Sequence, residues 1–87
     1  MEYLEKYTYN EILNIIINIV ASEGIHFEST ENSFAELGID SIMFVTIIIE
    51  LEDALNISFS DNIPLMSECE TINKLIEKTI DHIHKNN

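Results

Sequence analysis

Several residue types are scarce in this chain of 87 residues, and each scarcity excludes a class of protein. Two glycines and one proline are too few for an all-β fold, which needs many tight turns. The single cysteine, Cys69, cannot form an intramolecular disulfide, which fits a reducing compartment. The longest strongly apolar run, residues 42–49, is much shorter than the ~20 residues of a membrane-spanning helix. The length predicts one domain over residues 1–87, with no membrane span.

The sequence also lacks the marks of a secreted protein and of an enzyme. Residues 1–5 have no basic region and no apolar run, so we expect no signal peptide and a cytoplasmic location. His26, His82, His84 and Cys69 have no recognisable zinc-binding spacing. No nucleophile with a base and an orienting group is visible, and the chain is small for a substrate pocket. We therefore expect neither a metal site nor enzymatic activity.

Positively charged residues are especially few in this chain. Sixteen Asp and Glu residues stand against four lysines and no arginine, for a formal net charge of -12. This exceeds the magnitude of about 2–8 that is usual for a small domain. Such a chain repels nucleic acid and anionic lipid and attracts basic protein surfaces. Composition alone leaves open whether the acidity serves solubility or partner recognition.

Helical patterns account for most of what is present. Thr8-Tyr9-Asn10-Glu11 has the form of a capping box, and apolar residues at helical spacing follow it up to Gly24, which suits a C-terminal stop. The first helix therefore runs roughly from Tyr9 to Ser22. A last helix begins after Thr71, a plausible N-cap. Its buried face is predicted to consist of Ile72, Leu75, Ile76, Thr79, Ile80 and Ile83.

A long connection over residues 25–40 separates the first helix from the second. It contains a second capping-box pattern, Ser33-Phe34-Ala35-Glu36, which predicts one short turn. The second helix should begin at Asp40 or Ser41, since both residues cap well. Its core face is predicted to comprise Phe44, Ile47, Ile48, Leu51 and Leu55. Near Pro64–Cys69 the sequence allows a short third helix, because proline is tolerated in a first helical turn.

The opposite side of the second helix has an unusual composition. Ile42, Thr46, Ile49 and Asp53 fall at spacings of four, three and four, with Glu50 beside them. Isolated exposed apolar residues are normal, so this stripe can be incidental. It can also be a face on which partners dock. The pattern alone slightly favours the first interpretation.

Ser41 lies in Leu37-Gly38-Ile39-Asp40-Ser41-Ile42, after the long connection and at the start of the second helix. A helix cap would explain it fully. Its hydroxyl would nevertheless be exposed at a helix N-terminus, where free N–H groups and the helix dipole favour a phosphate.

The segment 34–42, followed by the helix ending Ile49-Glu50-Leu51-Glu52-Asp53-Ala54-Leu55, resembles the acyl carrier protein family, which includes peptidyl carriers. The resemblance covers roughly Thr8 to Ile83. It implies an all-α bundle of three main helices with a long first loop, and a monomeric carrier rather than an enzyme.

The resemblance also implies roles for particular residues. Ser41 would receive 4'-phosphopantetheine from coenzyme A, transferred by a phosphopantetheinyl transferase with magnesium, and Asp40 would assist near that metal. The thiol of the arm would hold acyl or aminoacyl groups as thioesters. Activating ligases, synthases, transferases or thioesterases would then meet the chain through basic docking patches. The face presented to them would include Ile42, Ile49, Glu50 and Asp53.

Two departures from fatty-acid carriers indicate a specialised pathway, such as polyketide or peptide assembly. Thr46 stands where those carriers usually have an acidic residue, and Met43 and Phe44 replace acidic and small polar residues. Two alternatives stay open. One is an acidic adaptor that is never modified, although such a protein has no need of Ser41. The other is a carrier of amino acids instead of acyl groups.

Overall fold

The computed structural model describes residues 7–85, and these residues form a helical bundle. Helix α1 spans Tyr9–Ala21, α2 spans Ser41–Leu55 and α3 spans Ile72–Lys85. A short 3-10 helix, Ser60–Asn62, lies between α2 and α3. The described residues contain one isolated β-bridge, between Ser33 and Thr71, and no strand. The predicted all-α class is therefore confirmed.

Both ends of α1 are closed by local hydrogen bonds. The Glu11 N–H donates to Thr8 Oγ1 over 3.2 Å, and the Thr8 N–H donates to Glu11 Oε1 over 2.9 Å. This is the predicted capping box, and it satisfies two N–H groups that have no partner inside the helix. At the other end Gly24 adopts a φ of 81°, which lets the Ile25 N–H donate to the Val20 carbonyl over 3.0 Å.

The core forms between α1 and its two neighbours. Helix α1 packs against both α2 and α3, and in residues 7–85 the backbones of α2 and α3 do not approach each other as closely. All predicted core residues of α2 are buried, as are those of α3 except Ile80, which is half-buried. The Phe34 and Phe44 rings meet edge to face with their centroids 5.1 Å apart. The aromatic pair joins the first loop to α2.

The long first loop is held against the start of α3 by backbone hydrogen bonds. The Phe34 N–H donates to the Glu70 carbonyl over 3.0 Å, and the Ile72 N–H donates to the Asn32 carbonyl over 3.2 Å. The Tyr9 hydroxyl also donates to Asn73 Oδ1, which ties α1 to the same place. The loop therefore has a fixed course before it delivers the chain to α2.

The sequence left open whether a short third helix forms between α2 and α3. No helix forms at Pro64–Cys69; instead the Cys69 N–H donates to the Leu65 carbonyl over 3.0 Å and closes a single turn. Pro64 and Cys69 are buried, so core contacts fix this segment without a helix. The short helical element lies earlier, at Ser60–Asn62, where Ser60 has a φ of 54°.

The two ends of the chain complete the comparison with the sequence patterns. Helix α3 continues beyond Ile83, the last residue of its predicted buried face, and includes His84 and Lys85. Asp81 accounts for part of this, because its carboxylate pairs with Lys85 Nζ at 3.1 Å one turn away. The residues on which the absence of a signal peptide was predicted lie outside the described range.

Charge is distributed unevenly over the three helices. The lysines of the described residues are Lys74, Lys78 and Lys85, and all of them lie on α3. Helices α1 and α2 contain carboxylates and no lysine. The lysines of residues 7–85 therefore lie on one helix, whose backbone is close to α1 and not to α2.

Candidate functional site at the start of α2

The turn before α2 is built by a second capping box. The Glu36 N–H donates to Ser33 Oγ over 3.0 Å, and the Ser33 N–H donates to Glu36 Oε1 over 2.9 Å. Both bonds were predicted from the sequence Ser33-Phe34-Ala35-Glu36. The turn buries Phe34 completely and Leu37 in part, so it is anchored to the core.

Gly38 ends this turn and sets the direction of the chain. Its φ of 81° is a conformation that residues with a Cβ rarely adopt. The Gly38 N–H donates to the Ala35 carbonyl over 3.0 Å, and the Ile39 N–H donates to the Phe34 carbonyl over 2.9 Å. This pair of bonds is a Schellman motif, in which Ile39 and Phe34 are also buried together. The chain leaves the core directly after Ile39.

Asp40 and Ser41 follow at the surface, and they define the N-terminus of α2. Asp40 is the N-cap: its carboxylate accepts a hydrogen bond from the Met43 N–H over 2.9 Å. Ser41 is the first residue of the helix and is exposed. The N–H groups of Ser41 and Ile42 have no acceptor within the helix, because they belong to its first turn. An anion at this place would meet two free donors and the positive end of the helix dipole.

The hydroxyl of Ser41 differs from those of the other serines in residues 7–85. Ser29, Ser33 and Ser58 accept hydrogen bonds from nearby N–H groups, and Ser22 donates to the Ile19 carbonyl. Ser60 Oγ is in contact with Ser58 Oγ at 3.5 Å. Ser41 and Ser67 are exposed and take no part in such bonds, and Ser41 alone of these two begins a helix. The Ser41 hydroxyl is therefore available for modification.

An exposed face extends along α2 from this serine. Ile42 is 77% exposed and Ile49 is 58% exposed. Thr46, Glu50 and Asp53 are exposed as well, so all the residues that the sequence placed on the outward stripe lie at the surface. Ile42 adjoins Ser41, whereas Asp53 lies about 16 Å further along the helix at 1.5 Å per residue.

Val45 belongs to the same face, although the predicted stripe did not include it. Its side chain is 52% exposed. It lies three residues after Ile42 and four before Ile49, a spacing that places all three side chains next to each other. A projection of α2 at 100° per residue puts Val45 about 60° from Ile42, and this signal could have identified it.

The acidic residues of α2 lie within residues 50–53, in its second half. Glu50 and Asp53 are exposed, whereas the Glu52 carboxylate accepts a hydrogen bond from the Phe59 N–H over 2.8 Å. Glu52 therefore fixes the connection that follows α2. Asn56 ends the helix in the left-handed conformation, with a φ of 56°.

An open groove of about 920 Å³ lies away from Ser41, between the α2–α3 connection and α3. The residues that line it are Phe59, Ser60, Asn62, Ile63, Pro64, Leu65, Glu68, Lys78, Asp81, His82 and Lys85. Neither Ser41 nor the exposed face of α2 lines it. Across residues 7–85, no cluster of His, Cys, Asp or Glu could hold a metal ion, and no helix has the length and apolarity to cross a membrane.

Comparison with known proteins identifies the family. The family described as "Phosphopantetheine attachment site" matches residues 10–78. The matched range covers most of the chain, which therefore belongs to this family of phosphopantetheine-binding carrier domains. The protein is accordingly a carrier that bears a covalent 4'-phosphopantetheine arm. Searches of curated proteins and of solved structures gave no significant match.

The residues at the start of α2 fit such an arm. A phosphodiester needs a free hydroxyl, and Ser41 presents one at the surface. The free N–H groups of the first helical turn suit the phosphate charge. When attached, the arm supplies a thiol that forms thioesters. The protein itself contributes the position of the hydroxyl, which the Gly38 turn and the Asp40 cap determine.

Proposed function

We propose that Ser41 carries the phosphopantetheine arm and that the protein is a monomeric cytoplasmic carrier of acyl or aminoacyl thioesters. The observation that supports this most directly is the Ser41 hydroxyl, exposed and unbonded at the start of α2. The carrier performs no chemistry on its cargo. It tethers a reactive group at high effective concentration beside each partner enzyme.

Asp40 has a second role in this proposal. It holds the N-terminus of α2 through the bond to the Met43 N–H, and its exposed carboxylate also assists the transferase near the magnesium ion. One carboxylate oxygen accepts the capping bond, and the other is left for an interaction with the transferase complex. Ser41 and Asp40 would thus act together during loading.

The exposed face of α2 is the surface that partner enzymes recognise, in this proposal. Ile42 and Ile49 would give apolar contacts, while Glu50 and Asp53 would meet basic side chains of the partner. Their exposure supports the assignment. Ligases that activate the cargo, and synthases, transferases or thioesterases that use it, must be visited in turn. Charge steering with a few apolar anchors allows such fast and reversible contacts.

The cargo belongs to a specialised pathway of polyketide or peptide assembly, rather than to primary fatty-acid synthesis. This part of the proposal follows from Met43, Phe44 and Thr46, which leave the first half of α2 without acidic residues. The holo protein should be charged by a specialised acyl or aminoacyl ligase and only poorly by primary fatty-acid enzymes. Efficient charging by the fatty-acid enzymes, with poor charging by the ligase, would contradict it.

Intact mass spectrometry tests the central claim. The protein is incubated with coenzyme A, magnesium and a broad-specificity phosphopantetheinyl transferase, alongside Ser41→Ala and Ser67→Ala. Ser67 is the matched control, because it is exposed and unbonded but outside any helix. We expect one phosphopantetheine on the wild type and on Ser67→Ala, and none on Ser41→Ala.

Two results would count against the proposal. Loading of Ser41→Ala would place the arm on another residue. Failure of the folded wild type to load, with its own transferase as well as the broad-specificity enzyme, would favour an unmodified acidic adaptor. Circular dichroism of each variant establishes that the bundle is intact, so that neither result reflects unfolding.

A further inference from the structure

We propose that partner enzymes contact the first half of α2 through an apolar socket, which is a concave apolar surface of the partner, and not through basic side chains. Val45 of α2 is one of the side chains that this socket binds. This inference rests on the proposed function, because it specifies the partner chemistry of the same face. Charge recognition is then confined to residues 50–53 of the helix.

Three apolar side chains form a continuous patch at the surface. Ile42, Val45 and Ile49 are 77%, 52% and 58% exposed, and their spacing makes each the neighbour of the next on the helix. One exposed apolar residue needs no explanation, but adjacent ones on a single face indicate a contact surface. These three side chains therefore form an apolar strip of about two turns on the outward side of α2.

Charge is absent from the same stretch. None of the sixteen acidic residues of the chain falls within residues 41–49. The nearest carboxylate on the N-terminal side, that of Asp40, is held at the helix end by the Met43 N–H. A lysine or arginine docked over this patch would lose water without gaining a carboxylate partner, which is unfavourable. An apolar partner surface has no such cost.

Acidic residues lie beside the patch only at its C-terminal end. Glu50 and Asp53 are exposed there, and Glu50 lies about 80° around the helix from Ile42, on the side opposite to Val45. Basic side chains of a partner can therefore reach carboxylates on one flank of the contact. Flanking charges of this kind govern the association rate and the orientation, whereas buried apolar anchors govern affinity.

A second copy of this chain is a poor occupant of the patch. Each copy would bring its own Glu50 and Asp53 to the interface, and each has a net charge of -12. Like charges at an interface suppress association. The patch therefore fits a partner that is itself apolar at the contact and neutral or basic around it.

The experiment measures how strongly each side chain contributes to binding by the transferase, which every carrier of this kind must meet. A broad-specificity phosphopantetheinyl transferase with coenzyme A and magnesium serves as the probe, and KM for the carrier is determined. Val45→Ala and Ile49→Ala remove apolar anchors, and Glu50→Gln and Asp53→Asn remove charge. Leu65→Ala is the matched control, since Leu65 is as exposed as Val45 but lies outside α2.

We expect each apolar variant to raise KM about tenfold, and each amide variant less than about threefold, with kcat unchanged. Leu65→Ala should leave KM as it is. Thr46→Glu, which introduces a carboxylate beside the patch, should also raise KM about tenfold, because the socket would have to bury a charge.

Three results would overturn the inference. The first is a larger rise of KM in the amide variants than in the apolar ones. The second is a lower KM for Thr46→Glu, which would reveal a basic socket. The third is a dimer in sedimentation that Val45→Glu dissociates. A wild type that does not load, or a Ser41→Ala that does, would instead refute the proposed function itself.

Discussion

Asp40 and Met43 are joined by a hydrogen bond of 2.9 Å from the Met43 N–H to the Asp40 carboxylate, and this bond determines where α2 begins. Without it, the first turn of the helix would lack its cap and Ser41 would have a less definite position. The same carboxylate is proposed to assist the transferase. Substitutions at residue 40 can separate these two roles, because asparagine caps a helix as well as aspartate does.

Asp40→Ala should lower the free energy of unfolding by about 1 kcal/mol, while Asp40→Asn should change it by only a few tenths. Urea denaturation measures both. In the loading assay, Asp40→Asn should still be slower than the wild type by about tenfold, the lower end of the loss that follows removal of a group supporting a metal site. Wild-type loading by Asp40→Asn would show that residue 40 acts as a cap alone.

Glu36→Ala should destabilise the protein although residue 36 is exposed. Its carboxylate accepts hydrogen bonds from the Ser33 N–H and from Asn32 Nδ2, at 2.9 and 3.0 Å. Losing these bonds should lower the free energy of unfolding by about 1 kcal/mol. Amide hydrogen exchange at Leu37 and Gly38 should become faster, since the turn opens more often.

Glu31→Ala is the control for this variant. It removes the same charge from the same loop, but the Glu31 carboxylate makes no hydrogen bond in the described chain. Its unfolding free energy should stay within about 0.5 kcal/mol of the wild type. Equal destabilisation by both substitutions would mean that the capping box contributes nothing.

Phe44→Ala should cost about 3–5 kcal/mol, because a fully packed aromatic ring is replaced by a cavity. The ring is 2% exposed and meets Phe34 edge to face. Val45→Ala, at the next position of the same helix, should cost less than about 1 kcal/mol because half of its side chain is in water. Thermal or urea unfolding compares them. Similar losses for both would contradict the assigned faces of α2.

The thiol of Cys69 predicts how stability depends on pH. Burial raises the pKa of this thiol above its ordinary value of 9.0, and the nearby Lys78 and Lys74 offset only part of the effect. The unfolded chain then loses the proton at lower pH than the folded chain does. The stability contributed by the neutral thiol is complete below pH 9.0 and decreases as the pH rises from there towards the folded pKa.

The measurement is the free energy of unfolding from pH 7 to about pH 10, for the wild type and for Cys69→Ala. The difference between them should be constant up to pH 9.0 and then shrink. A difference that is flat over the whole range would show that the thiol has the same pKa in both states. Taking the difference between the two proteins cancels the pH dependence of every other group, because both proteins contain those groups.

The sequence predicted those elements that depend on short-range chemistry. Both capping boxes, at Thr8 and Ser33, formed with the expected bonds, because each needs only residues three apart. The start of α2 was predicted to within one residue from the capping preference of Asp40. The face of Phe44 was predicted from helical periodicity, although β-branched residues nearby could also have indicated a strand.

Long-range packing determined the features that the sequence did not predict. Pro64 and Cys69 are buried by the core, and that burial fixes the segment without the helix that local propensity allowed. No local pattern near Ser33 predicts its β-bridge to Thr71, because that bridge forms only when two loops distant in sequence meet. Val45 was not predicted for a different reason. The stripe was defined by residues at spacings of three and four from Ile42 to Asp53, and Val45 lies at its edge, about 60° around the helix from Ile42.

Within residues 7–85 the lysines are confined to α3, and this makes the charge distribution of the small molecule uneven. Lys74, Lys78 and Lys85 lie on that helix, whereas the acidic end of α2 lies on a helix whose backbone does not approach it closely. In the field of a charged surface such a body experiences a torque as well as a force. It therefore turns while it is still separated from that surface by several ångströms of water, and a larger share of its collisions begins with the same side forward.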